Sequence, residues 1–586
     1  MTTRWLIQLS LAVTCAALAA PAAVGASVRA YLVRDVWPGP DSSLIQHMAV
    51  GAGHLWFVAV TNEGTSLWHS DGTPTGTHLV RTFYPTVVGP EGPLEGMPNE
   101  ITGLGDVVLF TAGDDETGEE LWRSDGTFAG TYMIKEIWTG VQYGSPGNYA
   151  NVVTGLTPLA NSVVFQARDD WYNWEPWVSD GTATGTLQLA DVVPGPEGLG
   201  VNFLSIGDRA VFFVEPQLWS TDGTPAGTGL IAELDTTNSR TPATTQGFCF
   251  FVNGQQIWRT DGSTGGTGVL LNLGVDANAR IRLNGRTDAG LFFSRQWAPP
   301  SNYAYEIWFS DFDGLDPRIV YSYDSGSTEC CDGIFPGGIA TTKDFFFGGH
   351  LANEMWASDG TVAGTRKVVD FAAIGITAID SMAHMDDLLF FHGTDAAHGE
   401  EWWWSDGTDA GVRPLDINPG PEGTAYGSPV AMDGRFYVRA DDGVDGLELW
   451  AIARVGVSAF PIAASTSGDS GGSATLSVAL ESKPLRDVTV PIASADATEA
   501  DVSPSSLTFT PDNWDNPQLV TVSSLGDEPV PSSVVVGPEQ SDDPAYAGLG
   551  AITVNLSTEM RPLRRHLQRQ DTPKPEQVSG ALLVPD

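Results

Sequence analysis

One short string, Leu67 to Thr77 (LWHSDGTPTGT), returns so often that it dictates what this chain can fold into. It recurs as LWRSDGTFAGT from Leu121, PWVSDGTATGT from Pro176, LWSTDGTPAGT from Leu218, IWRTDGSTGGT from Ile257, MWASDGTVAGT from Met355 and WWWSDGTDAGV from Trp402. Two worn copies extend the series, IWFSDFDGLDP from Ile307 and a bare LWAI from Leu449. The marker aspartates Asp71, Asp125, Asp180, Asp222, Asp261, Asp311, Asp359 and Asp406 lie between 39 and 55 residues apart. A period of that size signals a solenoid, a propeller or an array.

The repeated positions are Trp68, Asp71 and Gly72; Trp122, Asp125 and Gly126; Trp177, Asp180 and Gly181; Trp219, Asp222 and Gly223; Trp258, Asp261 and Gly262; Trp356, Asp359 and Gly360; and Trp403, Asp406 and Gly407. The apolar residues and Trp end a strand, and Asp-Gly turns the chain through a positive φ that glycine permits. The aspartate can accept bonds from nearby N–H groups and from the threonine hydroxyl. Gly-Thr then leads into a second strand, and two further apolar runs precede the motif, such as Ile101 to Leu104 and Val107 to Thr111. Four antiparallel strands per unit make one propeller blade, with the Trp large enough to pack between blades.

The string from Glu120 to Thr131 resembles the ELWxxDGT, or hyalin-type, repeats of bacterial proteins, over roughly residues 28 to 455. The resemblance implies an exported or cell-surface β-propeller and no defined reaction. Nine tryptophans mark blades, the last being Trp450, so an all-β propeller of eight to nine four-stranded blades is expected. Residues 30–40 look like the last strand of a blade and its exit, as in 190–196 and 415–421, whereas residues 430–450 lack a final hairpin. An N-terminal strand completing the last blade would leave no open edge.

Residues 1–26 read as a secretory signal, with Arg4, an apolar stretch from Trp5 to Ala20 and small residues up to Ala26. No other stretch is long enough to span a membrane after its removal. With 72 acidic against 29 basic residues the net charge is −43, which repels nucleic acid and anionic membrane. Beyond the propeller at 28–455, a Ser/Thr/Gly-rich linker is expected over 456–473, a β-sandwich over 474–558 and a disordered tail over 559–586. LTFTPDNW from Leu507 and SDDPAYAGL from Ser541 resemble Calx-β-like modules, a family that often binds calcium through acidic loops. Here Asp527, Glu528, Asp542 and Asp543 are the acids at those positions.

Several strings carry a chemical reading beside a structural one. GDSGG at 468–472 spells a serine-protease nucleophile loop, but a triad also needs a positioned histidine and carboxylate. Residues 112–122 fit AxDxxTGxExW, the blade-docking pattern of pyrroloquinoline-quinone dehydrogenases, with weaker versions ending at Trp403 and Trp450. Those quinoproteins also carry adjacent cysteines, as do Cys330 and Cys331; Cys249 is the other cysteine of the mature chain. Asp311, Asp313 and Asp316, and Asp441, Asp442 and Asp445, could ligate calcium, though neither set has EF-hand spacing. The nine histidines show no ligand spacing.

The expectation is a secreted or cell-surface binding and adhesion scaffold, presenting loops to a protein or glycan partner without catalysis. No cofactor is expected, with calcium the ion the acidic loops would admit. Trp171, Tyr172 and Trp174 form a candidate aromatic contact for sugar rings, against which stands plain inter-blade packing. The alternative is a propeller enzyme, a quinoprotein-like dehydrogenase or a glycan-active enzyme.

Overall fold

The computed structural model describes residues 27–556 apart from 85–96, 115–117, 139–151, 169–172, 193–201, 236–241, 246, 275–278, 298–303, 325–337, 342, 349–353, 386–387, 407–410, 465–472 and 526–532. Two compact units divide between Arg454 and Val455. Among the described residues of the first, the strands pair into nine four-stranded sheets. Eight are continuous: blade 1 over 44–84, then 99–135, 153–188, 203–233, 243–272, 279–324, 339–370 and 378–414. The ninth combines the strands Ala425–Met432, Arg435–Asp441 and Leu447–Val455 with Ser27–Arg34, which lies beside Leu447–Val455. The count is therefore nine blades, and the N-terminal strand completes the last one.

Except between blades 4 and 5, the first strands of neighbouring blades touch one another around the ring, including Leu44–Gly51 of blade 1 against Ala425–Met432 of blade 9. Blades 4 and 5 meet through Ile206, Val211 and Leu218 on one side and Cys249 and Phe251 on the other. Each blade's second strand is apolar on both faces because neighbours cover both. In blade 1, Leu55 to Ala59 are all buried, and Trp68 stacks on Phe57 across the pair. Every inter-blade core mixes residues of two blades, as where Trp56 and Leu67 of blade 1 meet Val108, Phe110 and Trp122 of blade 2. A ring built this way has no end blade with a bare face.

The second unit is a sandwich of two sheets. One orders Val457–Ala464, Ser473–Leu480, Gln518–Ser524 and Ala500–Ser503, and the other orders Ser506–Phe509, Val488–Ser494, Ser533–Val536 and Ile552–Asn555. Alternate residues Leu476, Val478, Val488, Val490, Val520, Val522, Val534 and Val536 are buried between them. The expected linker over 456–473 is corrected here: Val457–Ala464 is a sheet strand paired with Ser473–Leu480. Its alternation was hidden by Pro461 and the Ala-Ala-Ser-Thr-Ser run that follows. A register shift between Pro461 and Ala463 accommodates the missing proline N–H. Among the described residues no helix is long and apolar enough to cross a membrane.

Candidate functional site

The repeated turn is built identically in six blades. Asp71 Oδ1 accepts bonds from Thr73 N–H at 2.9 Å and Thr73 Oγ1 at 2.6 Å, while Thr73 Oγ1 accepts from Gly76 N–H at 3.0 Å. Thr77 Oγ1 donates to the Thr73 carbonyl at 2.7 Å, and Ser70 Oγ accepts from Gly72 N–H at 3.0 Å. The same carboxylate–threonine or carboxylate–serine bond forms at Asp125, Asp180, Asp222, Asp261 and Asp359. These hydroxyls hold Asp125, Asp222, Asp261 and Asp359 below the usual carboxylate range. A Cβ on Gly76 would stand 1.9 Å from Asp71 Oδ1, so the second glycine of each copy is fixed by the carboxylate above it. The worn copy differs: Asp311 Oδ1 accepts from Leu315 N–H instead.

The first glycine has two constraints. Gly360 has φ of +88°, and a Cβ there would meet the Phe309 ring of blade 6 at 2.6 Å. The turn thus lies against the preceding blade, whose basic side chains bind its carbonyls. Arg81 Nη1 donates to Thr131 O at 2.8 Å, Lys135 Nζ to Thr186 O at 2.7 Å and Arg318 Nε to Gly360 O at 2.7 Å. The motif fastens blade to blade; Gly407 lies outside the described residues.

A second fastener involves four carboxylates that the repeat alone did not single out. Glu120, Glu175, Glu401 and Glu448 each stand two residues before the blade's Trp and are 0–1% exposed. Glu120 accepts from Ile137 N–H at 2.9 Å and Trp138 N–H at 3.1 Å, and Glu175 from Val192 N–H at 2.7 Å. Glu401 accepts from Asn418 N–H at 3.2 Å. Glu448 clasps the closing strand's exit, taking Val36 N–H at 2.7 Å, Ser43 N–H at 3.1 Å and Ser43 Oγ at 2.7 Å. Burial pushes Glu120 up to about 8 and Glu401 and Glu448 up to about 7, against the pull of those donors. Opposite them across the strand pair stand Ala112, Ala167, Gly393 and Ala440, small enough to leave room. The AxDxxTGxExW pattern is here a recipe for this clasp.

The inner rim holds the feature closest to a binding site. In blades 1, 2, 3 and 9 the first strand slips register, and the residue at the start of each slip has positive φ: His47 at 49°, Glu100 at 53°, Gly155 at 74° and Gly427 at 76°. Glycine is free to adopt that conformation, but His and Glu adopt it at a cost of about 1 kcal/mol or more. Glu100 has a structural task, accepting from Thr154 Oγ1, Gly155 N–H and Leu156 N–H of the next blade. His47 instead borders an open cavity of about 380 Å³ between blades 9 and 1, lined by Gln46, His47, Met48, Ser428, Pro429, Val430 and Arg439. Arg439 Nη1 crosses the seam to Ile45 O at 2.9 Å, and its Nη2 lies over Gly427, where a Cβ would meet it at 2.2 Å. Burial lowers the Arg439 pKa, and loss of surrounding water followed by the Arg439 charge lowers that of His47 while Glu100 opposes.

The other sequence candidates fall as follows. Trp171 and Tyr172 lie outside the described residues, as do Cys15, Cys330, Cys331, residues 468–472, Asp527 and Glu528. Trp174 is half-buried, with the Arg168 guanidinium 5.3 Å from its ring and 5.0 Å from that of Trp138. Cys249 is buried in the blade 4–5 core, which pushes its thiol up to about 12. Asp313 and Asp316 pair with Arg259 and Arg318, Asp441 and Asp442 accept N–H bonds within their own loop, and buried Asp543 accepts from Leu485 and Ala545 N–H. Among the described residues no three His, Cys, Asp or Glu side chains are grouped to hold a metal ion. His398 binds its neighbour Asp395 at 2.9 Å inside a blade 8 hairpin. Three histidines scattered in the sequence do gather in blade 1, with His54 and His69 rings 5.3 Å apart and His69 and His78 5.7 Å apart. Strand pairing of His69 with His78 was the signal that could have found them.

No protein-family model matches the chain, and no curated protein does. Among solved structures it is similar to the acylaminoacyl peptidase of Pyrococcus horikoshii, at 10% identity over 68% of this chain and 58% of that one, with a TM-score of 0.29. It is similar to the β-propeller domain of the Trilobed protease of Pyrococcus furiosus, at 9% identity over 64% and 98%, TM-score 0.30. It is also similar to prolyl oligopeptidase B of Galerina marginata, at 10% identity over 75% and 55%, TM-score 0.34. The chain thus spans little more than half the length of the two peptidases. Scores this low carry no argument about activity, and the nine-blade architecture stands on the strand pairing of this chain.

Proposed function

We propose that the chain is a secreted or cell-surface binding scaffold, with the propeller as a rigid ring and the inner rim at the blade 9–1 seam as its recognition surface for a glycan. The carrying observation is how the polar groups divide. The turn aspartates and the clasp glutamates are engaged with backbone N–H groups and hydroxyls of the ring itself. At the seam, by contrast, a histidine in a costly backbone conformation and a half-buried arginine line a cavity. Glu100 carries the same strain for a structural bond to the next blade, whereas the strain at His47 borders the cavity, which supports reading the seam as a site. A calorimetric screen of the purified mature chain against neutral and acidic oligosaccharides tests the proposal; saturable binding supports it. A quinone chromophore retained on purification, or hydrolysis of the oligosaccharides, would move the chain to one of the enzyme readings.

A further inference from the structure

We propose that the blade 9–1 cavity is a sugar-acid subsite, in which Arg439 anchors the carboxylate of a uronate and His47 supplies a second polar contact. The proposal rests on the glycan-binding reading and makes it specific.

Three observations carry it. The first is the state of Arg439. A guanidinium has five N–H donors, and among the described residues one bond is formed, from Nη1 to Ile45 O. Among the described residues no carboxylate forms an ion pair with it, in a chain where acidic residues number 72 and basic residues 29. Arg81 and Lys135 also bind a neighbouring blade's carbonyl without a carboxylate among the described residues, but their charges lie over aromatic rings, whereas Arg439 lines a cavity where its remaining N–H donors can meet an anion. The nearby carboxylate that acts on His47, that of Glu100, is already held by Thr154, Gly155 and Leu156. A planar guanidinium fits a carboxylate through paired N–H bonds, which a point charge cannot reproduce.

The second observation is that the seat is built. Gly427 leaves room for the guanidinium, since any Cβ there would strike Nη2 at 2.2 Å. His47 occupies a position that the equivalent slips of blades 3 and 9 give to glycine. Among the described residues no protein group forms a hydrogen bond with its ring, and the residue keeps exposed surface at the rim although the seam takes part of its water.

The third is the rest of the lining. Gln46 and Ser428 offer an amide and a hydroxyl, while Met48, Pro429 and Val430 give an apolar wall. One cation, several neutral polar groups and an aliphatic face match a ring that carries one carboxylate, several hydroxyls and a C–H face. The volume of about 380 Å³ is at the small end of ligand sites and suits one such ring.

The test is titration calorimetry of the mature chain with D-galacturonate, D-galactose and acetate. Galacturonate is expected to bind at least tenfold more tightly than either control. Arg439→Gln is expected to lower that affinity tenfold or more, and Arg439→Lys to recover little of it. His47→Asn keeps a residue that tolerates positive φ and should cost several-fold, so the proposal stays testable if the arginine variant misfolds. Equal affinity for galactose and galacturonate, or galacturonate binding that survives either the arginine or the histidine change, would overturn the subsite while leaving the glycan-scaffold reading intact. Equal binding of acetate and galacturonate would overturn the sugar component. No saturable binding of galacturonate beside clear binding of another oligosaccharide would overturn the subsite alone; no binding of any glycan would overturn both.

Discussion

Blades 8, 9, 1, 2 and 3 form one arc of the ring and blades 4 to 7 the other, and the two are fastened differently. In the first arc, four of the five blades bury a glutamate that binds backbone N–H groups beyond the blade's outer strand. In the second, the residue at the same position is Gln217, Gln256, Glu306 or Glu354, and it accepts a bond from its own blade's Trp indole at 2.8–3.2 Å. First strands follow the same division. They run six to eight residues with a register slip in the first arc, but two or three residues in blades 4, 5 and 7. Blade 6 is the exception, with eight residues and a slip of its own. One repeat motif therefore supports two ways of holding a blade, and the candidate site lies in the arc where the connections are clasped.

The largest expected difference comes from removing the clasp. Glu448→Ala leaves the N–H groups of Val36 and Ser43 and a hydroxyl without their acceptor at the closure of the ring, so a loss of about 3–5 kcal/mol is expected. Gln217→Ala, in the other arc, should cost about 1 kcal/mol. Equilibrium unfolding in urea measures both, and equal losses would erase the distinction.

The turn should not distinguish the arcs. Gly130→Ala in blade 2 and Gly227→Ala in blade 4 each place a Cβ about 2 Å from the turn carboxylate, and each should cost about 1–3 kcal/mol. A clear disparity between them in the same urea experiment would show that the motif does different work in the two arcs.

A pH effect follows from the clasp. Folding raises the pKa of Glu120, Glu401 and Glu448 from 4.5 to about 8, 7 and 7. Between those values the folded chain keeps protons that the unfolded chain releases, so their contribution is full below pH 4.5 and is lost as pH rises through 7 to 8. Thermal melts from pH 5.5 to 8.5 should show the decline, and the Glu120→Gln, Glu401→Gln, Glu448→Gln triple variant should flatten it. The smallest effect has the opposite sign. Burial, then the charges of His54 and His78, hold His69 below its ordinary 6.5 despite Asp71, so its contribution is full above pH 6.5 and is lost on acidification. His69→Gln should lessen the fall in melting temperature between pH 6.5 and 5.

The repeat made the propeller legible, because Trp, Asp and two glycines at fixed offsets leave few alternatives to a four-stranded blade. The closing strand was legible too, since residues 30–40 match the exits of blades 3 and 8. What linked those exits to Glu175, Glu401 and Glu448 was harder to read. Each glutamate and its N–H partners are separated by a hairpin, or by the whole ring in the case of Glu448 and Val36, and pairing at such distance is a property of the closed fold. The seam cavity was less legible still. His47 and Arg439 belong to opposite ends of the propeller sequence, and nothing in either local string marks a positive φ at a histidine. The aromatic trio pointed elsewhere: Trp174, its described member, packs with Arg168.

Residue-resolved hydrogen exchange on the intact chain tests the two-arc account most directly. The amides of Ile137, Trp138, Val192, Asn418 and Val36 should exchange slowly, and Glu120→Ala should release those of Ile137 and Trp138, whereas Gln256→Ala in the other arc should leave the amide of Leu273 protected, since that amide bonds to Gln255 O. Equal release of the connection amides by both changes would contradict the division of the ring into two arcs held in different ways.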